Sequence, residues 1–225
     1  MNQLHTVLYR ASAVLTVCFL LLSIPGVPVG AAREPLQPPQ DGVSTEVSPL
    51  FINGEAALAA AAVTYGWTGD GLSINPYIIE DMEINGTGSP WCLRLKGIST
   101  SHVVIRDNRF HNATGDSGAN LQNSSLAVVN CVNVSIVDNI VEDNPNIGIA
   151  VIDSTAVVAG NTVRSNGKGL HIDSDQPCTI YGNALAENTN GMTVVGPQTV
   201  SNNVIDGDRS LSGFGLKCGR IAPDV

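Results

Sequence analysis

Charge is scarce in this chain of 225 residues: Asp, Glu, Lys and Arg together make 14%. Only 11 residues are Lys or Arg, against 20 Asp or Glu, so the formal net charge is -9. Binding phosphates needs clustered cations, and this balance argues against nucleic acid as a partner. Aromatic residues are 4% of the chain, while hydrophobic residues are 43%. That content is too apolar for a charged disordered tail, and the mix is not the Ala/Glu/Lys/Leu blend of a helical bundle. Long apolar runs are also missing. The longest, residues 11–24, has about 14 residues, short of the roughly 20 that span a bilayer. The length excludes several large domains. Asn and Gly are abundant instead. There are 20 Asn, 19 of them after residue 50, and 23 Gly. Such a chain reads as many short strands separated by turns.

The N-terminal 31 residues have the form of a signal peptide. Arg10 precedes the apolar run, Pro25 and Gly26 end it, and Val29-Gly30-Ala31 offers small residues for cleavage before Ala32. The alternative is an uncleaved N-terminal anchor. Cleavage leaves no transmembrane helix, because no second apolar segment lies near the C-terminus. Residues 32–50 hold four prolines and no apolar periodicity, which predicts a flexible linker. Residues 51–76 are expected to form an N-terminal cap. Asn53 is the expected cap of a short helix over 54–65, with Glu55 in its first turn, six alanines within it and Gly66 at its stop. Such a helix would cover the open end of a strand stack.

A repeat runs from Tyr77 to about residue 220, leaving 221–225 as a tail. Its anchor is an apolar residue, two others, Asn, one other, then apolar. The anchors are Asn108, Asn139, Asn161, Asn183 and Asn203, and Met82 fills the slot of an earlier copy. Successive anchors are 26, 31, 22, 22 and 20 residues apart. A second segment lies between anchors: small, apolar, any, apolar. Its copies start at Cys92, Ser125, Gly148, Gly169, Gly191 and Gly213. A period near 22 with two or three short strands per unit predicts a solenoid. Alternation turns every second residue inward, and the stacked coils bury a continuous core. Inward Asn side chains one coil apart can bond to one another and so remain buried at little cost. The two long intervals must carry loops, and 112–123 is the expected protrusion.

These repeats resemble the right-handed parallel β-helix proteins of the NosD-like, carbohydrate-binding-and-sugar-hydrolase group. Ile52-Asn53-Gly54 through Gly69-Asp70-Gly71 to Asn75-Pro76-Tyr77-Ile78-Ile79 looks like the N-terminal region of secreted archaeal members. The resemblance covers about residues 50–218. It implies an all-β parallel β-helix of about six coils. It leaves several functions open: polysaccharide lyase, hydrolase or epimerase, periplasmic copper-site maturation factor, or surface protein without catalysis. A shared solenoid does not carry a shared active site.

Chemistry in such a fold is sought along columns of stacked positions. The position before the anchor reads Asp81, Asp107, Asp138, Gly160, Gly182, Asn202. Three aspartates one coil apart are a candidate Ca²⁺ site. The same residue types also suit a turn, which is the favoured reading. Asp153 and Asp173, in repeated Ile-Asp-Ser tripeptides, are a candidate acid/base pair, with His171 nearby. Counting from the small-apolar segment places Asp153 opposite Ser174, so the pair aligns imperfectly. The outward position of the second strand reads Arg94, Ala127, Ala150, His171, Thr193, Gly215, which predicts a solvated face without aromatic platforms. Four cysteines follow the N-terminal run. Cys178 falls in an inward column with Val103, Val134 and Ala156, and only Cys92 and Cys131 are on adjacent coils, so free thiols are expected. Four sequons, at Asn85, Asn112, Asn123 and Asn133, lie in the long coils and are candidate glycosylation sites. The best single reading is an exported, non-enzymatic repeat protein of the extracellular space or cell surface that binds carbohydrate or another envelope component, such as a polysaccharide or a surface protein. A partner is also expected over the last, uncapped coil.

Overall fold

The computed structural model describes residues 45–115 and 120–206 and the backbone of 216–218. The expected signal peptide, the tail and most of the expected linker lie outside these residues. The linker's end does not: β1 (Thr45–Val47) and β2 (Leu50–Asn53) are strands, so pairing begins before residue 50. Their outer residues are polar or exposed, which hid a two-residue alternation in so short a segment.

The helix α1 (Glu55–Tyr65) follows β2 directly. Asn53 does not cap it, because Asn53 is the last residue of β2, paired with Lys96. Gly54 takes the cap position at φ 85 with no side-chain bond. Gly66 ends the helix in the left-handed conformation, and its neighbour's N–H returns to Ala62. Leu58 and Ala62 are buried, and the helix packs on β2 at the end of the stack, as a cover should.

Six coils follow. They are β3 (Tyr77–Glu80), β4 (Met82–Asn85) and β5 (Leu93–Lys96); β6 (Val103–Arg106), β7 (Arg109–His111) and β8 (Ser124–Val129); and β9 (Val134–Val137), β10 (Ile140–Glu142) and β11 (Ile147–Ile152). Then come β12 (Ala156–Ala159), β13 (Thr162–Arg164) and β14 (Lys168–Asp173); β15 (Thr179–Tyr181), β16 (Ala184–Ala186) and β17 (Asn190–Val195); and β18 (Thr199–Ser201), β19 (Val204–Asp206) and β20 (Leu216–Cys218). Each coil gives one strand to each of three parallel sheets. The first sheet runs from β1 through β4 to β19, the second from β2 through β5 to β20, and the third from β3 to β18. This is the expected parallel β-helix. Its core is a column of Ile, Leu and Val, with Phe110 the largest buried side chain.

Polar ladders hold the corners. Each anchor Asn donates from Nδ2 to the carbonyl two residues back and to a carbonyl of the preceding coil, and all but Asn203, the last, also reach the Oδ1 of the next anchor. For Asn161 these acceptors are Ala159, Ile136 and Asn183, at 3.1, 2.9 and 2.9 Å. Its Oδ1 accepts the N–H and Nδ2–H of Asn139. Asn108, Asn139, Asn161 and Asn183 are buried, while Asn203 in the last coil is half-buried. Asn144, Asn166 and Asn188 form a second buried ladder with the same logic. At the third corner Ser154 accepts from Cys131 N–H, and Ser174 accepts from Ser154 N–H.

Glu55 ties the cap to the first coil. Its Oε1 accepts the N–H groups of Ser99 and Thr100 at 2.7 Å, and its Oε2 accepts the Ser101 hydroxyl at 2.6 Å. Burial opposes its charge, but these bonds win and hold its carboxyl down at about 2. A depressed carboxyl stabilises the fold above its ordinary value of 4.5, and that stability disappears as pH falls toward 2. Glu55→Gln should therefore flatten the acid limb of the stability curve between these values. Chemical denaturation from pH 7 to 2 measures it. An unchanged acid limb would remove Glu55 from the account of the cap.

Candidate functional site

The outer face of the second sheet carries a partly exposed cluster of aromatic and cationic side chains. Inward Leu50, Ile52, Leu93 and Leu95 are buried, so alternation turns Phe51 and Arg94 outward. The register stacks Phe51 on Arg94, then Ala127, Ala150, His171 and Thr193. Phe51 is 48% exposed. Trp91, from the loop before β5, tilts against it with ring centroids 5.6 Å apart. The Arg94 guanidinium lies 5.0 Å from the Phe51 centroid and 5.2 Å from that of Trp91. Gln122 accepts from Arg94 Nη2, and Arg94 Nε is buried without a partner. Desolvation lowers the Arg94 pKa from its ordinary value.

This cluster corrects the reading of a face without aromatics. Phe51 belongs to that column but precedes the first recognisable repeat, and Trp91 reaches it from a loop. The solvated reading also fails lower down. Ala127 and Ala150 are buried, and His171 is only 7% exposed.

His171 sits beside Lys168 on β14 of the second sheet. Lys168 Nζ lies 3.1 Å from its Nδ1. An ammonium only donates, so Nδ1 accepts and the proton sits on Nε2. Burial first, and then the Lys168 charge, lower its pKa to about 4. Its Nε2 is buried without a partner. Asp173 pairs with Ile152, and Ser174 bonds to Ser154 N–H, so the two serines are the aligned residues. Asp153 is an extra residue at φ 47, and its N–H donates to the Asp173 carbonyl. The count that set Asp153 opposite Ser174 missed this left-handed insertion.

Asp81, Asp107 and Asp138 all have φ between 53 and 56, and Gly160, Gly182 and Asn202 share the left-handed conformation. The column is therefore a turn that Asp, Asn and Gly tolerate. A Cβ at Gly160 would meet Asp138 Oδ1 at 2.3 Å, so a side chain there would displace that carboxylate. Burial raises the Asp107 pKa against the attraction of Arg106, and Asp138 and Asp81 add to the rise.

The first sheet carries a charge network that sequence reasoning missed. Arg109 bonds Glu83 and Glu142, with Nε 2.7 Å from Glu142 Oε1. Arg164 bonds the other Glu142 oxygen at 2.6 Å. The Glu142 side chain is 4% exposed. Desolvation opposes its ionisation, but the two arginines outweigh it and keep its carboxyl below the ordinary range. His111 Nε2 lies 3.2 Å from Glu83 Oε1. Writing out the positions one and three residues past the anchor would have exposed this set.

Thiols are spread through the core. Cys92, Cys131 and Cys178 are free and buried, and burial pushes all three pKa values up. The side chain of Cys218 lies outside the described residues. Cys178 sits in the expected inward column and points to the Ser154 carbonyl at 3.1 Å. Among the described residues, no group of three or more His, Cys, Asp or Glu is placed to hold a metal ion.

A family model described as NosD, periplasmic copper-binding protein, matches residues 95–210, more than half of the chain. The chain belongs to the NosD family. No curated protein and no solved structure matches it. Among the described residues, the donors of this NosD-family chain do not fit the copper of the family's description. Copper sites draw on convergent thiolate, thioether or imidazole groups. Here the described thiols are buried and protonated, and Met82 and Met192 are core residues. His111 lies in the first sheet, His171 in the second, and His102 beside the first residue of β6 in the third. No described helix is long and apolar enough to cross a membrane.

Proposed function

We propose that this NosD-family β-helix is an exported binding scaffold without catalysis, and that it holds a glycan on the outer face of its second sheet. The observation that carries the reading is the partly exposed Phe51–Arg94–Trp91 cluster, in which Phe51 faces solvent. Aromatic faces take the apolar faces of sugar rings. A guanidinium beside them pairs with a carboxylate or hydroxyl oxygen. The buried and unpartnered Arg94 Nε supports a ligand acceptor at this place. The chemistry favours an acidic polysaccharide over a neutral one. The periplasmic description of the family and the signal-like N-terminus support export.

Titration of the full chain with polygalacturonate and with dextran tests this. The acidic polymer should bind more tightly. Phe51→Ala should weaken it about tenfold, the loss of one aromatic contact of about 1.4 kcal/mol. Absence of binding to both polymers overturns the reading, and so does chain cleavage with or without added calcium.

The family's description favours a second reading, a copper-handling role in the periplasm. Competition of the full chain with a copper(I) chelator separates the two. Retention of copper against the chelator would favour the second reading.

A further inference from the structure

Four sequons were legible in the sequence, and the fold treats them differently. The Asn123 sequon has its hydroxyl on Ser125, which is 1% exposed and bonded to Cys92 Sγ. The Asn133 sequon runs from a left-handed residue into β9, where Val134 is buried and Ser135 is paired with Val104 and Val157. In the Asn112 sequon the Thr114 hydroxyl donates to the Ser89 carbonyl at 2.9 Å, away from its own Asn. Asn112 Nδ2 is engaged by His111 Nδ1 at 2.8 Å and Asn85 Oδ1 at 3.4 Å.

Asn112 and Thr114 are exposed, but only in the Asn85 sequon does the hydroxyl bond its own Asn. Asn85 ends β4 and leads into a turn closed by the Ser89 N–H on the Gly86 carbonyl at 2.8 Å. Asn85 Oδ1 accepts both the N–H and the hydroxyl of Thr87, at 3.1 and 2.8 Å. A backbone N–H can only donate, so the oxygen of this amide is fixed and Nδ2 must lie on the other side. Thr87 is exposed, and Gly88 at the turn tip has a positive φ with open space around its Cα. Asn85 is half-buried and paired with His111 at the end of its strand, and the exposed Thr87 and Gly88 beside it open the turn to an enzyme.

We infer that Asn85 is the acceptor of an N-linked glycan in the folded chain, and that Asn112, Asn123 and Asn133 are not. The donor is a lipid-pyrophosphate-linked oligosaccharide, delivered by an oligosaccharyltransferase. The Asn85 Nδ2 lone pair forms a bond to the anomeric carbon. The bond from that carbon to the pyrophosphate oxygen breaks, and the lipid pyrophosphate leaves with the electron pair. Nδ2 gives up one proton to the transferase's base. The Thr87 hydroxyl draws charge toward Oδ1, which makes that proton easier to lose. In its natural setting the modification rests on the proposed export.

The test uses the folded, purified full chain with a single-subunit oligosaccharyltransferase and its lipid-linked donor, read by peptide mass spectrometry. Glycan should appear on Asn85 alone. Thr87→Ser keeps the hydroxyl and should retain it, whereas Thr87→Val should reduce it at least tenfold, and circular dichroism checks that both variants fold. An unmodified Asn85, equal modification of Thr87→Val, or glycan on any of the other three sequons overturns the inference. The same mass analysis on chain from its source separates the two readings: glycan in vitro but none on native chain counts against export, while failure in vitro counts against the site.

Discussion

Asn161→Ala should cost the fold about 3–5 kcal/mol in guanidinium unfolding. The side chain makes three donations and accepts two, all in a buried corner. Truncation leaves the Asn139 N–H without its acceptor and removes donors from the Ile136 and Ala159 carbonyls. A buried group left unpaired costs about 1–3 kcal/mol, and several are created at once. Asn161→Asp sharpens the test. It keeps an acceptor for Asn139 but sets a carboxylate against the carbonyls that Nδ2 now serves. That variant should be least stable at neutral pH and recover part of its loss in acid, where the protonated oxygen can donate. Asn203→Ala should cost far less, because Asn203 is half-buried in the last coil. Equal effects at 161 and 203 would mean that the ladder follows the fold instead of holding it.

Glu142→Ala should cost about 2–3 kcal/mol. Removing one member of a fully buried pair costs about 3–5 kcal/mol. Here Glu142 is buried, but the Arg109 and Arg164 side chains are 37% and 48% exposed, so water recovers part of the loss. Glu142→Gln keeps the shape and one acceptor, and should cost roughly half as much. The pH dependence has a definite sign. The folded pKa of Glu142 lies below its ordinary value. Its contribution is thus complete at neutral pH and is lost as pH falls below the ordinary carboxylate range. Wild-type chain and Glu142→Ala should therefore converge in stability on acidification. Denaturation midpoints from pH 7 to 3 measure this. A gap that stays constant would mean that packing, not charge, explains the loss.

These two sites mark what the sequence could and could not reveal. The anchor Asn recurs at a fixed offset between apolar residues, so period and inward direction together predicted a buried ladder. Asn144, Asn166 and Asn188 have the same spacing, but no apolar frame surrounds them as tightly, and they read as turn residues. The Glu142 network needs a comparison across coils, one and three residues past each anchor. Its members come from β4, β7, β10 and β13, and partners 22 to 33 residues apart meet only once the register is fixed. The Phe51–Arg94–Trp91 cluster combines both difficulties. Phe51 precedes the recognisable repeat, and Trp91 stands in a loop of irregular length. The acidic column shows the opposite case. Asp81, Asp107 and Asp138 stood out in sequence, and their backbone angles give them a conformational task.

The two Asn ladders step together by 22 residues, from Asn139 to Asn161 to Asn183 and from Asn144 to Asn166 to Asn188. The chemistry of these two corners is therefore the same at every join in this stretch. A unit of that length is an interchangeable tile: copying or excising one leaves every remaining amide facing another amide. The long coils around Asn108 lack this freedom, because Met82 and Ala113 close the two ladders there with a backbone N–H alone. The molecule can thus vary in length within its regular half while the half that bears Phe51, Trp91 and Asn85 stays unchanged.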